Sequence, residues 1–382
     1  MAERRTRPHR RGTLVLGMVW LLAGLVFGLL WLIAATQYLP LDVRPQSMQT
    51  LLTGASLLLP HGFLLLLAGC LLLCFGSWKQ SFRLLSALVA LSIMALWGSS
   101  WVKRPMLGGN ANTRIRVMTW NVARLGEYCG SGDCSAEEAA AMECMGQTLD
   151  HHQPDLLALQ EISLDRLEEI ERSLGLRCRL SDKRPAWIDY EGRHISEHGG
   201  VAVCVPPDGS WTLQSLQNPS LPPDWYYIFT EVKHSHTGDV LNFLSVHFKP
   251  THIDEEQVRQ LFRGELSALP EASHAIAQTA TEQSEQANRL LSTTAHFDDP
   301  TILAGDFNST RDARIHHGLR TQFLDTWERG GWGYGASRVF AGIPLRIDYI
   351  YASTTHFRVQ NARRDLSDCS DHHAVISTLR LN

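Results

Sequence analysis

Acidic residues are scarce in the first part of this 382-residue chain. Residues 1–104 contain two of the 39 Asp and Glu residues but ten of the 35 Lys and Arg residues. Residues 105–382 have the opposite deficiency, since 25 Lys and Arg stand against 37 Asp and Glu and give a net charge of −12. The second part therefore lacks the overall basic excess of a nucleic-acid-binding protein, although a local cluster of Arg311, Arg314 and Arg320 could serve phosphates instead.

The eight cysteines of the chain are not spaced as the ligands of a metal site would be. Cys129 and Cys134 lie close together in a glycine-containing loop, but no second thiol or histidine pair stands at a spacing suited to zinc. We expect these two thiols to form a disulfide if the domain lies in an oxidising compartment. Four further cysteines are predicted to be small buried hydrophobic residues, namely Cys144, Cys178, Cys204 and Cys369.

Two histidine pairs invite a metal-binding interpretation. His151 and His152 fall at the end of a predicted helix, and His234 and His236 flank a predicted hairpin turn. Helix ends and turns are usually solvated. We therefore predict that both pairs lie on the surface rather than in a metal site.

The first part of the chain contains long apolar runs with almost no charged residues. Each of three runs, separated by short polar links, is long enough to span a bilayer as a helix: about 14–35, 51–76 and 84–102. Buried core helices are the alternative, but three such runs with almost no charge favour transmembrane helices. We predict a membrane region at 1–104, a linker at 105–113 and a soluble domain at 114–382.

The orientation of this membrane region follows from its basic residues. Five arginines precede the first span, and Lys79 and Arg83 lie between the second and third. The link between the first two spans contains only Arg44, whereas Lys103 and Arg104 count against the assignment. The balance favours a cytoplasmic N-terminus. We therefore expect an integral protein of the inner or plasma membrane with its soluble domain on the non-cytoplasmic side.

Polar groups follow several strand-like runs in the soluble part. In 301–308 a short apolar run ends at Gly305, and Asp306 and Asn308 come next. Gly-Asp-Phe-Asn also makes an ordinary turn, and that alternative stands when the block is considered alone. Five more blocks repeat the pattern, with their polar residues at Asn121, Glu161, His247, Asp348 and Asp371-His372.

These six blocks, in this order, resemble the endonuclease/exonuclease/phosphatase (DNase I-like) superfamily, in a membrane-anchored bacterial form. The resemblance covers about residues 115–381. It implies a four-layer α/β sandwich, with two packed, mostly antiparallel sheets between outer helices. Strand and helix patterns that alternate along the chain agree with an α/β class. The region 254–294 is predicted to be helical, with a break at Pro270, and could be an insertion.

The resemblance also implies metal-dependent phosphodiester hydrolysis with Mg²⁺ or Mn²⁺ as cofactor. Glu161 is the first expected metal ligand, because a carboxylate oxygen suits a hard cation. Asn121 would complete the metal shell or hold the phosphate. Asp371 would be a second carboxylate on the metal side.

The remaining block residues are expected to do the chemistry. His372 would be the general base, since imidazole titrates near working pH, and Asp348 would orient it. His247 would bond the phosphate or protonate the leaving oxygen. Asp306 and Asn308 would orient the nucleophile and a phosphoryl oxygen.

The substrate is left open between classes. A nuclease acting on nucleic acid is the first hypothesis. Anchoring at a lipid bilayer favours a phospholipid or sphingomyelin phosphodiesterase as the alternative. A catalytically dead membrane scaffold is a third, but it predicts missing ligands, and none of the six blocks lacks its polar residue.

Overall fold

The fold of the second part of the chain is given by a computed structural model. Its described residues, apart from a few isolated positions, are 113–123, 135–181, 200–207, 209–214, 227–251, 255–263 and 269–382. They fall in the second of two units into which the chain divides, Trp101–Asn382. The three predicted spans and the predicted Cys129–Cys134 bridge lie outside the described residues. Within the described residues, no helix combines the length and the apolar character that crossing a membrane requires.

The described elements alternate between strands and helices. In chain order they are β1 Arg114–Asn121, α1 Ser135–His152, β2 Leu156–Ile162, α2 Leu164–Leu174, β3 Arg177–Leu180, β4 Trp187–Ile188, β5 His194–Ile195, β6 Gly200–Val205, β7 Trp211–Leu213, β8 Tyr227–His234, β9 Val240–His247, α3 Glu255–Phe262, α4 Leu269–Thr294, β10 Thr301–Asp306, α5 Arg314–Leu319, β11 Phe323–Asp325, α6 Thr326–Gly330, β12 Arg338–Phe340, β13 Ile343–Leu345, β14 Asp348–Ser353, β15 Phe357–Arg364 and β16 Val375–Leu381.

Two six-stranded sheets organise these elements. The first has the order β15-β16-β1-β2-β6-β3 and the second has β11-β14-β10-β9-β8-β7. Each contains one parallel pair, β1 with β2 and β9 with β10, and the other pairings are antiparallel. The parallel pairs matter for function because neighbouring parallel strands present their carboxyl ends at the same sheet edge.

Three apolar layers hold the four structural layers together. Between the sheets, Val117 and Ala158 of the first sheet pack in one cluster with Phe243 of the second. The outer face of the first sheet packs on α1 and α2, where Met145 and Ile170 are fully buried. The outer face of the second sheet packs on α4 and α5. Alternating side chains of a strand point to opposite faces, so each sheet serves two layers. The predicted four-layer α/β sandwich is confirmed.

The helical region before β10 also matches its prediction. It divides into α3 and α4, and Pro270 stands in the first turn of α4. Proline is tolerated there because the first amide groups of a helix have no partner within it. The helix α4 then covers the second sheet with Leu290 and Ala287.

The predicted state of the four cysteines in this domain was wrong. They form two disulfides, Cys144–Cys369 and Cys178–Cys204. The second joins residues that pair directly across β3 and β6. The first joins α1 to the segment before β16 across 225 residues, which no local pattern reveals.

The surface prediction for the histidine pairs holds in one case and fails in another. His236 is exposed at the turn between β8 and β9. His152 is instead buried, and its Nε2 lies 2.6 Å from Asp365 Oδ2. Burial lowers the pKa of His152, against the opposing effect of Asp365. His152 therefore ties the end of α1 to the segment that follows β15.

Candidate active site

Strand register brings three polar residues together at one edge of the second sheet. Strand β10 lies between β9 and β14, and its last residue Asp306 is paired with His247 on one side and Asp348 on the other. All three side chains are almost fully buried. Residues separated by about 100 positions thus become immediate neighbours through backbone pairing alone.

A close backbone approach explains the glycine of this block. Gly305 pairs with Val246 in the parallel β9–β10 ladder, and a Cβ at residue 305 would overlap the Val246 carbonyl oxygen. Only glycine leaves room for this approach. The next residue, Phe307, is fully buried against Phe248 and Tyr349. The chain is therefore fixed on both sides of Asp306.

The first sheet contributes Asn121 and Glu161 from its parallel pair. Asn121 ends β1 beside Gln160 of β2. The ladder between β2 and β6 shifts between Gln160 and Ile162, so Glu161 occupies a β-bulge, and its φ is 55°. Bulges redirect a side chain from its alternating position, and a left-handed conformation at a residue other than glycine is often found at functional sites. The bulge directs the Glu161 carboxylate to Asn121 Nδ2, at 2.9 Å.

His372 enters the site from the segment before β16. The indole Nε1 of Trp120 donates to the His372 carbonyl oxygen at 3.1 Å. Ser370 Oγ donates to the Asn121 carbonyl oxygen at 2.8 Å and accepts from the His372 amide at 3.1 Å. Because β16 pairs with β1, this segment is placed above the end of β1. The serine of the Ser-Asp-His block therefore fastens the histidine to the first sheet.

His372 and Asp348 form a buried pair. His372 Nδ1 lies 2.9 Å from Asp348 Oδ2. The Asp348 amide donates to Ser337 Oγ at 3.0 Å, which fixes the backbone of the acid. Asp348 Oδ1 is buried and has no hydrogen-bond partner in the described part of the chain. The pair thus holds the ring in one orientation and leaves Nε2 pointing to Asp306.

Asp306 Oδ2 is the centre of the constellation. It accepts from Asn121 Nδ2 at 3.1 Å, and it lies 3.8 Å from His247 Nε2 and 3.9 Å from His372 Nε2. His247 Nε2 is also 3.8 Å from Glu161 Oε1. The histidine separations exceed hydrogen-bond length. At these distances the two imidazoles face the carboxylate without a direct hydrogen bond to it.

The electrostatics of this centre are strongly perturbed. Burial and the neighbouring Asp348 carboxylate raise the pKa of Asp306 to about 6, against the opposing effect of His372 and His247. Burial alone would lower the pKa of His372, but Asp348, by charge and hydrogen bond, and Asp306 raise it to about 9. Perturbed acid and base groups in one cluster are typical of active sites.

Asn308 closes the second sheet's side of the site. Its φ is 47°, a left-handed conformation that asparagine adopts more readily than most residues. Its amide donates to Asp306 Oδ1 at 2.8 Å, and its Nδ2 donates to the Phe248 carbonyl oxygen at 2.9 Å. Asn308 therefore links the segments after β9 and β10.

Helix α4 supports the same two segments with buried glutamines. Gln283 Nε2 donates to the carbonyl oxygens of Lys249 at 2.7 Å and Asn308 at 3.1 Å. Gln286 Oε1 accepts from the Lys249 amide at 3.0 Å. Residues three apart lie on one face of a helix, so both glutamines can reach the segments. Neither glutamine could be selected from the sequence, because isolated glutamines on a helix belong to no strand-end block.

Two sequence predictions for this region do not fit the geometry. Asp371 does not join the cluster: its side chain is 48% exposed, and Oδ2 accepts from Arg338 Nη2 at 2.7 Å. Arg311 and Arg320 are not available for phosphates, since both pair with Glu328. The side chains of adjacent residues in a sequence block need not point the same way. The side chain of His372 therefore lies in the cluster, whereas that of Asp371 turns to Arg338.

The donor set fits a divalent metal ion. Ligand atoms of Asp306, Asp348 and His372 all lie within 4.8 Å of one another, and the Glu161 carboxylate faces the same centre through Asn121. Buried carboxylates so close together need positive charge between them. Oxygen-rich sites suit hard cations, whereas soft metals prefer thiolates. The described residues at this centre include no thiol.

Comparisons with known proteins identify the fold and the family. No curated protein matches the sequence. The crystal structure of the endonuclease/exonuclease/phosphatase from Bacteroides vulgatus is similar, with 16% identity, 71% of this chain and 100% of that chain covered, and a TM-score of 0.52. A family protein from Bacteroides thetaiotaomicron has 18% identity, 71% and 98% coverage and a TM-score of 0.50. The model of the Endonuclease/Exonuclease/phosphatase family matches residues 118–372, and the chain therefore belongs to this family of metal-dependent phosphoric ester hydrolases.

Proposed function

We propose that the chain is a Mg²⁺-dependent phosphodiesterase of nuclease type, with Mn²⁺ as a substitute ion. The observation that carries the proposal is the position of Asp306 Oδ2 between Asn121, His247 and His372. Phosphodiester hydrolysis needs charge neutralisation, a positioned base and a proton donor for the leaving oxygen. This centre offers residues for all three.

The acidic side of the centre would hold the ion. Glu161 is the leading ligand, because its carboxylate is 26% exposed and can be reached by an ion with its water shell. Asn121 donates to Glu161 and Asp306 and would keep the two carboxylates at a fixed separation. When bound, a divalent ion supplies positive charge to a phosphoryl oxygen. Asp371 is left out of the proposed set, because its carboxylate pairs with Arg338.

His372 would act as general base and Asp348 would orient it. The bond to Nδ1 directs Nε2 into the centre. Because Asp348 and Asp306 raise the pKa of His372 to about 9, the ring could take a proton from water only in its neutral form, which the positive charge of a bound ion would favour. His247 Nε2 lies on the other side of Asp306 and would bond the phosphate or give a proton to the leaving oxygen. Two imidazoles on opposite sides of one carboxylate can divide the acid and base roles.

Asp306 and Asn308 would orient the reacting groups. Asp306 accepts from the Asn308 amide, so the carboxylate cannot rotate without breaking that bond. Asn308 in turn is held by Phe248 and Gln283. Positioned groups raise the rate because they remove the entropy cost of alignment.

A comparison of two substrate classes tests the proposed function. Purified full-length protein would be given supercoiled plasmid DNA and, separately, vesicles of phosphatidylcholine with sphingomyelin, each with Mg²⁺ and with EDTA. We expect Mg²⁺-dependent cleavage of DNA that is absent in His372→Ala. Headgroup release without DNA cleavage would transfer the proposal to a lipid phosphodiesterase. No turnover of either substrate or of a chromogenic phosphodiester would leave the scaffold hypothesis.

We also propose that the domain is anchored by the 14–35, 51–76 and 84–102 segments and lies outside the cytoplasm. The N-terminal arginines support this orientation. The disulfides Cys144–Cys369 and Cys178–Cys204 support it independently, since such bonds persist in oxidising compartments. Alkaline phosphatase and green fluorescent protein, each fused after Asn382, test it. Active phosphatase and dark fluorescent protein are expected, and the reverse would reject the orientation.

A further inference from the structure

Arg338 lies beside the site and is not among the groups that the proposed chemistry uses. Arg338 begins the short strand β12 and makes a β-bridge with His372. The residue before it, Ser337, is fully buried and accepts the amide of Asp348 through Oγ. Ser337 also accepts the His373 amide through its carbonyl oxygen at 2.6 Å. Arg338 is therefore fastened to both members of the His372–Asp348 pair.

The hairpin that carries Arg338 has a regular two-residue turn. Strands β12 and β13 pair from Arg338 with Leu345 to Phe340 with Ile343, which leaves a two-residue loop. Both loop residues, Ala341 and Gly342, have positive φ, at 49° and 81°. Two positive φ values are typical of the tight hairpin turn that matches strand twist. The pairing of this hairpin and the bridge to His372 place Arg338 beside the site.

The guanidinium group is held from two sides but retains unused donors. Its Cζ lies 5.7 Å from the centre of the Phe340 ring, and Nη2 donates to Asp371. This bond to Asp371 is its one hydrogen bond within the part of the chain that the structure describes. Arginine has five N–H donors. The side chain is 30% exposed, so the remaining donors can meet a ligand from solvent.

The pKa of Arg338 reflects the carboxylates around it. Burial disfavours its charged form, but Asp371, Asp306, Glu161 and Asp348 together raise its pKa. Three of these four carboxylates belong to the active centre. In contrast, the buried Arg346 pairs with Asp325, and Lys249 lies 3.5 Å from Glu282. Arg338 thus lies beside the centre, next to His372, with part of its side chain exposed to solvent.

We propose that Arg338 binds a non-bridging phosphoryl oxygen of the substrate, and that Asp371 positions its guanidinium for this contact. The inference rests on the proposed function, because it names the group that holds the phosphate beside the catalytic pair. Arginine suits the task, since its planar fork can donate two parallel bonds to phosphate. The role of Asp371 then lies in substrate binding and not in metal binding.

Steady-state hydrolysis of bis(4-nitrophenyl) phosphate with saturating Mg²⁺ tests the assignment. We expect Arg338→Gln to raise KM about 10–100-fold, the factor for loss of a charge-assisted hydrogen bond, and Arg338→Lys to fall between it and the wild type. Asp371→Ala should raise KM less, and Asp371→Asn should recover most of the loss. Arg177→Gln, which removes the same charge from an exposed position on β3, is the control. The Mg²⁺ concentration for half-maximal rate should stay constant.

Two results would overturn the assignment. A KM for Arg338→Gln within twofold of the control would remove the phosphate contact, and a raised Mg²⁺ requirement in Asp371→Asn would return Asp371 to the metal. Direct binding of inorganic phosphate in the presence of Mg²⁺, measured by calorimetry, separates this inference from the proposed function. If the wild type hydrolyses nothing, weaker phosphate binding by Arg338→Gln still supports the contact, and equal binding rejects it.

Discussion

The Nδ1 atom of His372 lies 2.9 Å from Oδ2 of Asp348, and both side chains are about 1% exposed. In this geometry the carboxylate orients the imidazole and raises its pKa. We therefore predict that the two residues behave as one unit in catalysis. His372→Ala should lower kcat/KM by about 10²–10⁴, the usual contribution of general acid–base catalysis. Adding Asp348→Asn to it should cost little more, because residues that act together are non-additive.

A double-mutant cycle on kcat/KM with bis(4-nitrophenyl) phosphate measures this coupling. His151→Ala, an exposed histidine on α1, is the matched control and should leave the rate unchanged. If the losses from His372 and Asp348 simply added, Asp348 would act elsewhere, and the pairing would have no catalytic meaning.

The raised pKa of His372 predicts a specific pH dependence of the metal-free protein. Its folded pKa of about 9 exceeds the ordinary value of 6.5, so the charged imidazole stabilises the fold fully below about pH 6.5. This contribution should disappear as the pH rises through about 9. In EDTA, the free energy of unfolding from urea titrations should fall across that window. Asp348→Asn should flatten the fall, because it removes a main cause of the shift.

Nuclear magnetic resonance can follow the imidazole directly. The chain has 17 histidines, and the signal lost in His372→Gln identifies the relevant ring. That ring should titrate near pH 9 in the wild type and nearer 6.5 in Asp348→Asn. A wild-type ring that titrates at or below 6.5 would contradict the electrostatic argument.

Loss of the bulged carboxylate should weaken metal binding. Glu161→Gln keeps the shape of the side chain but removes the charge that faces the centre. The Mg²⁺ concentration for half-maximal activity should rise by roughly 10–100-fold or more, since even outer partners of metal ligands change affinity by that factor. Calorimetric Mg²⁺ titration should show the same loss. Glu168→Gln, an exposed carboxylate on α2, should bind Mg²⁺ as the wild type does; equal behaviour of both variants would exclude Glu161 as a ligand.

Gln283 should affect turnover from outside the cluster. Gln283→Leu leaves the Lys249 and Asn308 carbonyl oxygens without their shared donor, at a cost of about 1–3 kcal/mol in the free energy of unfolding. The two segments would also lose their common support, so kcat should fall more than KM rises. Gln278→Leu, an exposed position on the same helix, is the control. A stability loss with unchanged kcat would restrict Gln283 to a structural role.

The long-range disulfide should contribute measurably to stability. Replacing Cys144 and Cys369 together by alanine opens a loop closed across 225 residues. We expect a loss of about 2–5 kcal/mol in the free energy of unfolding, as for other native disulfides. Peptide mapping without reductant should show the Cys144–Cys369 link directly. Free thiols at both positions, or equal stability with and without reductant, would contradict it.

The strand-end blocks made much of the fold and the centre predictable. Asn121, His247, Asp306 and Asp348 each end or begin a strand, and Glu161 is the last residue but one of β2, so their convergence followed from the sheet architecture. The helical region over about 254–294 could also be predicted, and it contains α3 and α4. These features depend on local periodicity, which a single sequence records.

Contacts between distant residues could not be predicted in the same way. The partner of Cys144 is Cys369, and the burial of His152 depends on Asp365, which lies 213 positions away. Asp371 turns toward Arg338, although it stands beside His372 in the sequence. Arg338 itself lies on a three-residue strand with a weak pattern. Such contacts depend on how the layers of the fold pack, and they cannot be read from the spacing of residues along the chain.

The centre draws on both sheets, and this has a consequence for how the protein tolerates change in its interior. Asn121 and Glu161 belong to the first sheet, whereas His247 and Asp306 belong to the second, and side chains such as Val117 and Phe243 separate the two. The thickness of that apolar layer therefore sets the distances between carboxylates and imidazoles. A substitution in that apolar layer can therefore leave the fold intact and still lower the activity, because it changes the distances between the catalytic side chains.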